Sequence, residues 1–270
     1  MGRDLEDIVR AALDGDDRNG DAWERAIDAL CASADAGGLD RALALAADGR
    51  EAARALACDA LGRLGAPSDA ARERVIPALI EALDDEAPRV RAAAVSALSR
   101  LRDARTIGPL AGRRADPDAE VRHAVACGLG GFDDPLAVDA LVDLTRDASP
   151  AVRDWATFAL GSLTTVTTPA VVEALVERLQ DPDEQTREEA IVGLVARRAD
   201  ERVVAALAAA LDAAGPIGRG PLEAAARLGD PRLLPALLRV TPASDPERLL
   251  LEHAIYACSP EEEEGGAGVS

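Results

Sequence analysis

The chain has 270 residues, 48% of them hydrophobic but only 2% aromatic, and its 49 acidic side chains against 30 basic ones give a net charge of −19. That balance argues against nonspecific binding to a phosphate backbone, which is built from basic side chains neutralising phosphates. The scarcity of aromatics excludes the aromatic-rich centre of a sandwich or barrel, while Ala and Leu, the strongest helix formers, point to an all-helical chain.

The first predicted element, MGRDLEDIVRAALDG, is an amphipathic acidic helix without the charged-then-apolar layout of a signal peptide. No run of about 18 apolar residues occurs anywhere, so a soluble, cytoplasmic chain with no membrane partner is expected. Two helical segments follow between Asp21 and Asp48, and then the helix GREAARALACDALGRLG. Here a register begins. Arg54 is echoed by Arg91, Arg122, Arg153 and Arg187, and seven residues after each stands Leu61, Leu98, Leu129, Leu160 or Leu194. Six residues before the last four arginines stand Asp85, Asp116, Asp147 and Asp181. Self-similarity at such a period is the mark of a repeat array, in which each repeat buries its apolar face only by stacking on its neighbours.

Each repeat from Glu73 onward reads as two helices. Val75 to Leu83, Val138 to Leu144, Val171 to Leu179 and Val203 to Leu211 are first helices, each followed by an Asp/Pro-rich break and a second helix carrying the Arg-to-Leu register. The breaks DDEAPRV, DPDAEV, DASPAV and DPDEQT supply capping oxygens, a preset φ and negative charge where a helix starts. On a helical wheel with the register arginine at zero, positions −1, +3, +7 and +10 form a buried stripe: Val90, Ala94, Leu98 and Leu101 in one repeat, Val152, Ala156, Leu160 and Leu163 in another. Position +6 holds only Ala or Gly, as close helix contacts require. After Arg187 the register degrades: Arg219 is followed by Gly220 and Pro221, which shortens that helix, and Arg248 with Ile255 marks a last partial repeat. The predicted organisation is one array over residues 1–260, with about six to seven helical pairs and atypical terminal ones. The stretch EEEEGGAGVS at 261–270 is expected to be disordered.

Stretches such as DDEAPRVRAAAVSALSRLRD and DPDAEVRHAVACGLGGFDDP resemble the bacterial HEAT-like repeats, the repeats also found in phycobilisome lyases. The resemblance covers about Asp21 to Cys258. It implies an all-α fold, a right-handed α-solenoid of stacked helical hairpins. It also implies a structural ladder in which Asp85 and Arg91, Asp116 and Arg122, Asp147 and Arg153, and Asp181 and Arg187 join the repeats. Relatives with known chemistry offer tests. The deoxyhypusine hydroxylases hold two irons through His-Glu pairs, whereas here His123 and His253 are each followed by Ala. The four cysteines, Cys31, Cys58, Cys127 and Cys258, show no CxxC spacing. Neither a metal nor another cofactor is expected, and no P-loop, GxSxG, GxGxxG or HExxH motif marks a catalytic residue.

Positions +1, +2, +5 and +9 of the second helices are read as pointing outward, on the concave side that such helices line in HEAT-type arrays. Most of these positions hold small residues, Ala55, Ala92 and Ala93 among them, with Leu56 at +2 of the first; the exception is RDWATFALGSL, where Trp155 and Phe158 share a helix face. With Asp154, Glu188 and Glu189 beside them, and His123 at +1 of an earlier repeat, they form a candidate partner-binding patch with an apolar anchor and an acidic rim. The competing reading has Trp155 filling a gap at the longer Thr164–Thr168 loop. The expected function is a non-catalytic, monomeric scaffold binding a protein partner with a basic surface, such as a regulatory adaptor or a neutraliser of a toxin. The alternative is an enzyme or enzyme subunit of the lyase or base-glycosylase type.

Overall fold

A computed structural model describes residues 2–14, 20–33, 37–65, 68–197, 201–212 and 219–260. The predicted tail, 261–270, lies outside them. Sixteen α-helices, and no strands, are found among the described residues: α1 (Gly2–Asp14), α2 (Asp21–Ala32), α3 (Gly38–Ala46), α4 (Glu51–Leu64), α5 (Asp69–Ala82), α6 (Pro88–Leu101), α7 (Ile107–Ala111), α8 (Ala119–Leu129), α9 (Pro135–Leu144), α10 (Pro150–Phe158), α11 (Pro169–Arg178), α12 (Glu184–Arg197), α13 (Arg202–Leu211), α14 (Arg219–Leu228), α15 (Leu234–Leu237) and α16 (Asp245–Cys258). The chain forms two compact bodies, an N-terminal one to Val152 and a C-terminal one from Arg153, so the division falls within α10. In both, first and second helices alternate and second helices pack on second helices: α4 on α6 and α6 on α8 in the first body, α12 on α14 and α14 on α16 in the second.

The buried stripe explains this packing. Val90, Val121, Val152, Ala57, Ala94, Ala156, Ala190 and the register leucines Leu61, Leu98, Leu129, Leu160 and Leu194 are wholly buried. Each leucine removed from water contributes about 2 kcal/mol, and neighbouring repeats supply the cover. Small residues at the contact let second helices approach closely. A Cβ built on Gly62 would stand 2.9 Å from the Cα of Ala97, and one on Gly193 would stand 2.6 Å from the Cα of Gly161.

Two expectations about the wheel need correction. Positions +1 and +2 do not face solvent on α4 and α6, where Ala55, Leu56, Ala92 and Ala93 are all buried. The close approach of the second helices covers these flanks, and α2 also packs on α4. Position +10 fails in the C-terminal body, where Leu163 is 42% exposed while Thr164 is buried. The reason is a π-helical turn over Ala159–Leu163 continuing α10. The wider turn inserts one residue, so +11 takes the place of +10, and the Thr164 hydroxyl donates to the Leu160 carbonyl at 2.9 Å.

Candidate functional site

The Asp and Arg of the register form one device repeated four times. In each rung the arginine grips the aspartate of the following repeat through Nε and Nη2: Arg54 to Asp85 (2.6 and 2.9 Å), Arg91 to Asp116 (both 2.8 Å), Arg122 to Asp147 (2.6 and 2.9 Å), Arg153 to Asp181 (2.9 and 3.0 Å). Arg54, Arg91 and Arg122 also reach back with Nη1 to carbonyls six and five residues earlier, as Arg91 does to Asp85 and Glu86. Each aspartate also accepts the backbone N–H two residues on, from Ala87, Asp118, Ser149 or Asp183. The Asp-to-Arg spacing of six therefore places one carboxylate where it holds its own turn and a guanidinium from the repeat before. Arg187 donates to the carbonyls of Asp181 and Pro182, and no carboxylate among the described residues takes its other edge.

Electrostatics follow the geometry. The Arg54 guanidinium holds the Asp85 carboxyl below its ordinary 3.8. At Asp116 and Asp181 burial pushes the carboxyl up, but hydrogen bonds from Arg91 and Arg153 and from the turn N–H outweigh it, and both end lower than usual. These are bidentate, charge-assisted bonds, the strong kind.

The C-terminal body contains five of the six residues predicted to bind a partner. Trp155 and Phe158, one helical turn apart on α10, are half-buried, with ring centroids 5.4 Å apart and planes tilted by 53°, a geometry aromatic pairs favour. Glu188 and Glu189 on α12 are also half-buried. Burial first, and then the neighbouring charges, raise both carboxyls: Glu184 acts on Glu188, while Asp154 and Glu188 act on Glu189. Asp154 therefore faces α12 across a contact between second helices that its counterparts Ala55 and Ala92 fill with methyl groups. The sixth residue, His123, lies on α8 in the N-terminal body, its Nδ1 3.8 Å from the Cys127 Sγ.

Two features were not visible from the register. Trp23 on α2 is 2% exposed. It donates from Nε1 to Asp59 at 3.0 Å, and the Arg89 guanidinium lies 5.1 Å from its ring centroid. Arg63 secures the same helix through Glu24 and Asp28. Since Trp23 precedes the first register arginine, no periodic signal announces it. The second feature is Arg197, at +10 of its helix, where other repeats carry an apolar residue. Its guanidinium donates to the carbonyls of Leu160, Gly161, Thr164, Val166 and Gly193. It thereby takes the end carbonyls that the π-helical turn leaves open. An arginine in an apolar stripe was the available signal.

Beside it lies a cleft of about 580 Å³ lined by Ser162, Thr164, Thr165, Thr167, Val192, Arg197 and Arg227, among other residues, with no carboxylate, histidine or thiol among the described residues of its wall. All four cysteines are free thiols. Burial pushes Cys58 up to about 12 and Cys127 up to about 11, so neither is a thiolate nucleophile near neutral pH. No group of three or more His, Cys, Asp or Glu placed to hold a metal ion, and no helix long and apolar enough to cross a membrane, occurs among the described residues.

Stacked helical pairs joined by an Asp–Arg ladder define an α-helical repeat protein, and the profile of the family described as HEAT repeats matches residues 39–126, 109–194 and 144–223. The chain belongs to that family. Among curated proteins it is similar to protein YibA of Escherichia coli K12, 35% identical over 122 residues, which are 45% of this chain and 42% of YibA. The match thus spans less than half the length of that relative. The crystal structure of E. coli YibA superposes with a TM-score of 0.79 at 24% identity, over 93% of this chain and 91% of that one. A Schizosaccharomyces pombe condensin Cnd3–Cnd2 subcomplex gives 0.60 at 19% identity, over 94% of this chain and 36% of that one. Both structures show the shared fold.

Proposed function

We propose that this protein is a non-catalytic scaffold whose C-terminal body holds a protein partner with a basic, partly apolar surface, at Trp155, Phe158, Asp154, Glu188 and Glu189. The observation that carries the proposal is a half-buried aromatic pair on α10, Trp155 and Phe158 with ring centroids 5.4 Å apart, together with two half-buried carboxylates on α12, Glu188 and Glu189. Both carboxyls are pushed up, by half-burial and by neighbouring carboxylates, so the patch holds negative charge at an electrostatic cost that an arriving guanidinium or ammonium would relieve. A tilted aromatic pair alongside supplies the large rigid contact area typical of an interface anchor. A regulatory adaptor, or a neutraliser of a basic toxin, is the role that fits such a patch.

The test compares baits in quantitative pull-downs from the native host: the wild-type chain, Trp155→Ala, Glu189→Gln and, as a control, Arg100→Ala on the exposed side of α6. A partner of this patch is retained by the control, lost with Trp155→Ala and weakened with Glu189→Gln. Retention of every captured protein by Trp155→Ala at wild-type levels rejects the site.

A further inference from the structure

We infer that the outer flank of α16 is a self-association surface on which a second copy of this chain packs its own α16 antiparallel, across a two-fold axis. In the register of the second helices Arg248 occupies the zero position, so Leu249 stands at +1 and Tyr256 at +8. In earlier repeats those positions face the next second helix. Ala55 and Ala92, at +1, are buried, and Gly62, at +8, lies against Ala97. In the C-terminal body Gly161, at +8, lies against Gly193, and the Glu188 side chain at +1 reaches Gly220. On α16 the core side is complete, with Leu251, Ala254 and Cys258 buried, yet on the opposite side Leu249 is 68% exposed and Tyr256 is 82% exposed.

Leu249 and Tyr256 are large and apolar where the repeats of Arg54 and Arg91 carry Ala55 and Ala92 at +1 and where Gly62 and Gly161 stand at +8. With Leu238, at the end of α15, the last helical pair supplies three of the five large hydrophobic side chains exposed among the described residues. The flank is shaped to be covered by another helix.

The residues between Leu249 and Tyr256 identify the occupant. Glu252 and His253 occupy the middle of the flank, both exposed. When α16 meets a second α16 antiparallel about the point midway between them, Leu249 of one copy falls opposite Tyr256 of the other. Glu252 of one falls opposite His253 of the other, a carboxylate facing an imidazole N–H. Both pairings occur twice, as a two-fold contact requires. A parallel arrangement would oppose Glu252 to Glu252 and His253 to His253. Each copy carries a net charge of −19, so the two bodies repel, and added salt should tighten the pair by screening that repulsion. The inference is independent of the partner patch around Trp155.

The test is sedimentation velocity of the full chain, from low micromolar to hundreds of micromolar, at two salt concentrations. The expected result is a mass that rises with concentration toward twice that of the monomer and stops there, at lower concentration in high salt. Tyr256→Glu, at a side chain exposed enough to leave the melting curve unchanged, should abolish the dimer. Glu252→Arg and His253→Glu should each weaken it tenfold or more, and the double variant should recover most of the loss because Arg then faces Glu across the axis. Four results would overturn the inference: a monomer throughout, a dimer indifferent to Tyr256→Glu, growth beyond two copies, and dimerisation only after residues 261–270 are removed, which would assign the flank to the tail.

Discussion

The N-terminal and C-terminal bodies are made by the same rule and treat the sides of their second helices in opposite ways. In the first, +1 and +2 hold Ala55, Leu56, Ala92 and Ala93, all buried, followed by the half-buried His123 and Ala124, and its Trp23 is locked under Arg89 and bonded to Asp59. In the second, the same positions hold Asp154, Trp155, Glu188 and Glu189, all half-buried. The ladder beneath is unchanged, since Arg91–Asp116 and Arg153–Asp181 share one bidentate geometry. The scaffold therefore fixes positions and spacing, while the residues at +1, +2 and +5 are free to be packing in one place and a charged aromatic surface in another.

The two tryptophans test that contrast most strongly. Trp23→Ala should cost about 4 kcal/mol of folding stability, as expected for removing a buried aromatic side chain. Trp155→Ala should cost less, about 1 kcal/mol, because part of its surface already meets water. Thermal and denaturant melts of the two variants measure the difference, and equal losses would erase the distinction between the bodies. The next effect should be the same in both. Arg91→Ala and Arg153→Ala each leave a buried carboxylate without its guanidinium, which should lower stability by about 3 kcal/mol. A large loss for one and none for the other would show that the ladder is not shared.

Arg197→Leu restores the apolar residue of the other repeats but leaves the carbonyls of the π-helical turn without their donor. We expect a loss of about 2 kcal/mol, with faster amide exchange confined to residues near Thr164. A stabilised variant would mean that the turn needs no cap. The smallest effect is the pH dependence, and its sign differs between carboxylates. Glu188 and Glu189 ionise above their ordinary 4.5, so the fold favours their protonated forms and gains slightly as pH falls through the raised values toward 4.5. Asp85, Asp116 and Asp181 ionise below 3.8. Their contribution is complete above that value and is lost as pH falls through the depressed ones. Glu188→Gln with Glu189→Gln should remove the first effect and spare the second, read from melts between neutral and acid pH.

Much of the fold was legible because a solenoid writes itself as a period. The register arginines, the leucines seven residues on and the Asp/Pro breaks marked the second helices and their starts. The errors came where a position is decided by a neighbour rather than by its own helix. A single-helix wheel placed Ala92 outside because it omits the adjacent helix that covers it, and it placed Leu163 inside because one wider turn shifts everything after it. Trp23 is outside the period, so its role emerged only from three-dimensional contact. Trp155 was conspicuous by composition alone, as one of two tryptophans, and what the structure adds is a half-buried ring 5.4 Å from that of Phe158, with Asp154 close enough to act on Glu189.

The claim that the C-terminal body uses this difference for binding is tested most directly by measuring affinity and melting together for Trp155→Ala, with a partner captured by the wild-type chain. The account predicts a Kd raised roughly 30- to 1000-fold, equivalent to about 2–4 kcal/mol, with a melting temperature shifted by only about 2–4 °C. An unchanged Kd, or a melting loss as large as that of Trp23→Ala, would contradict it.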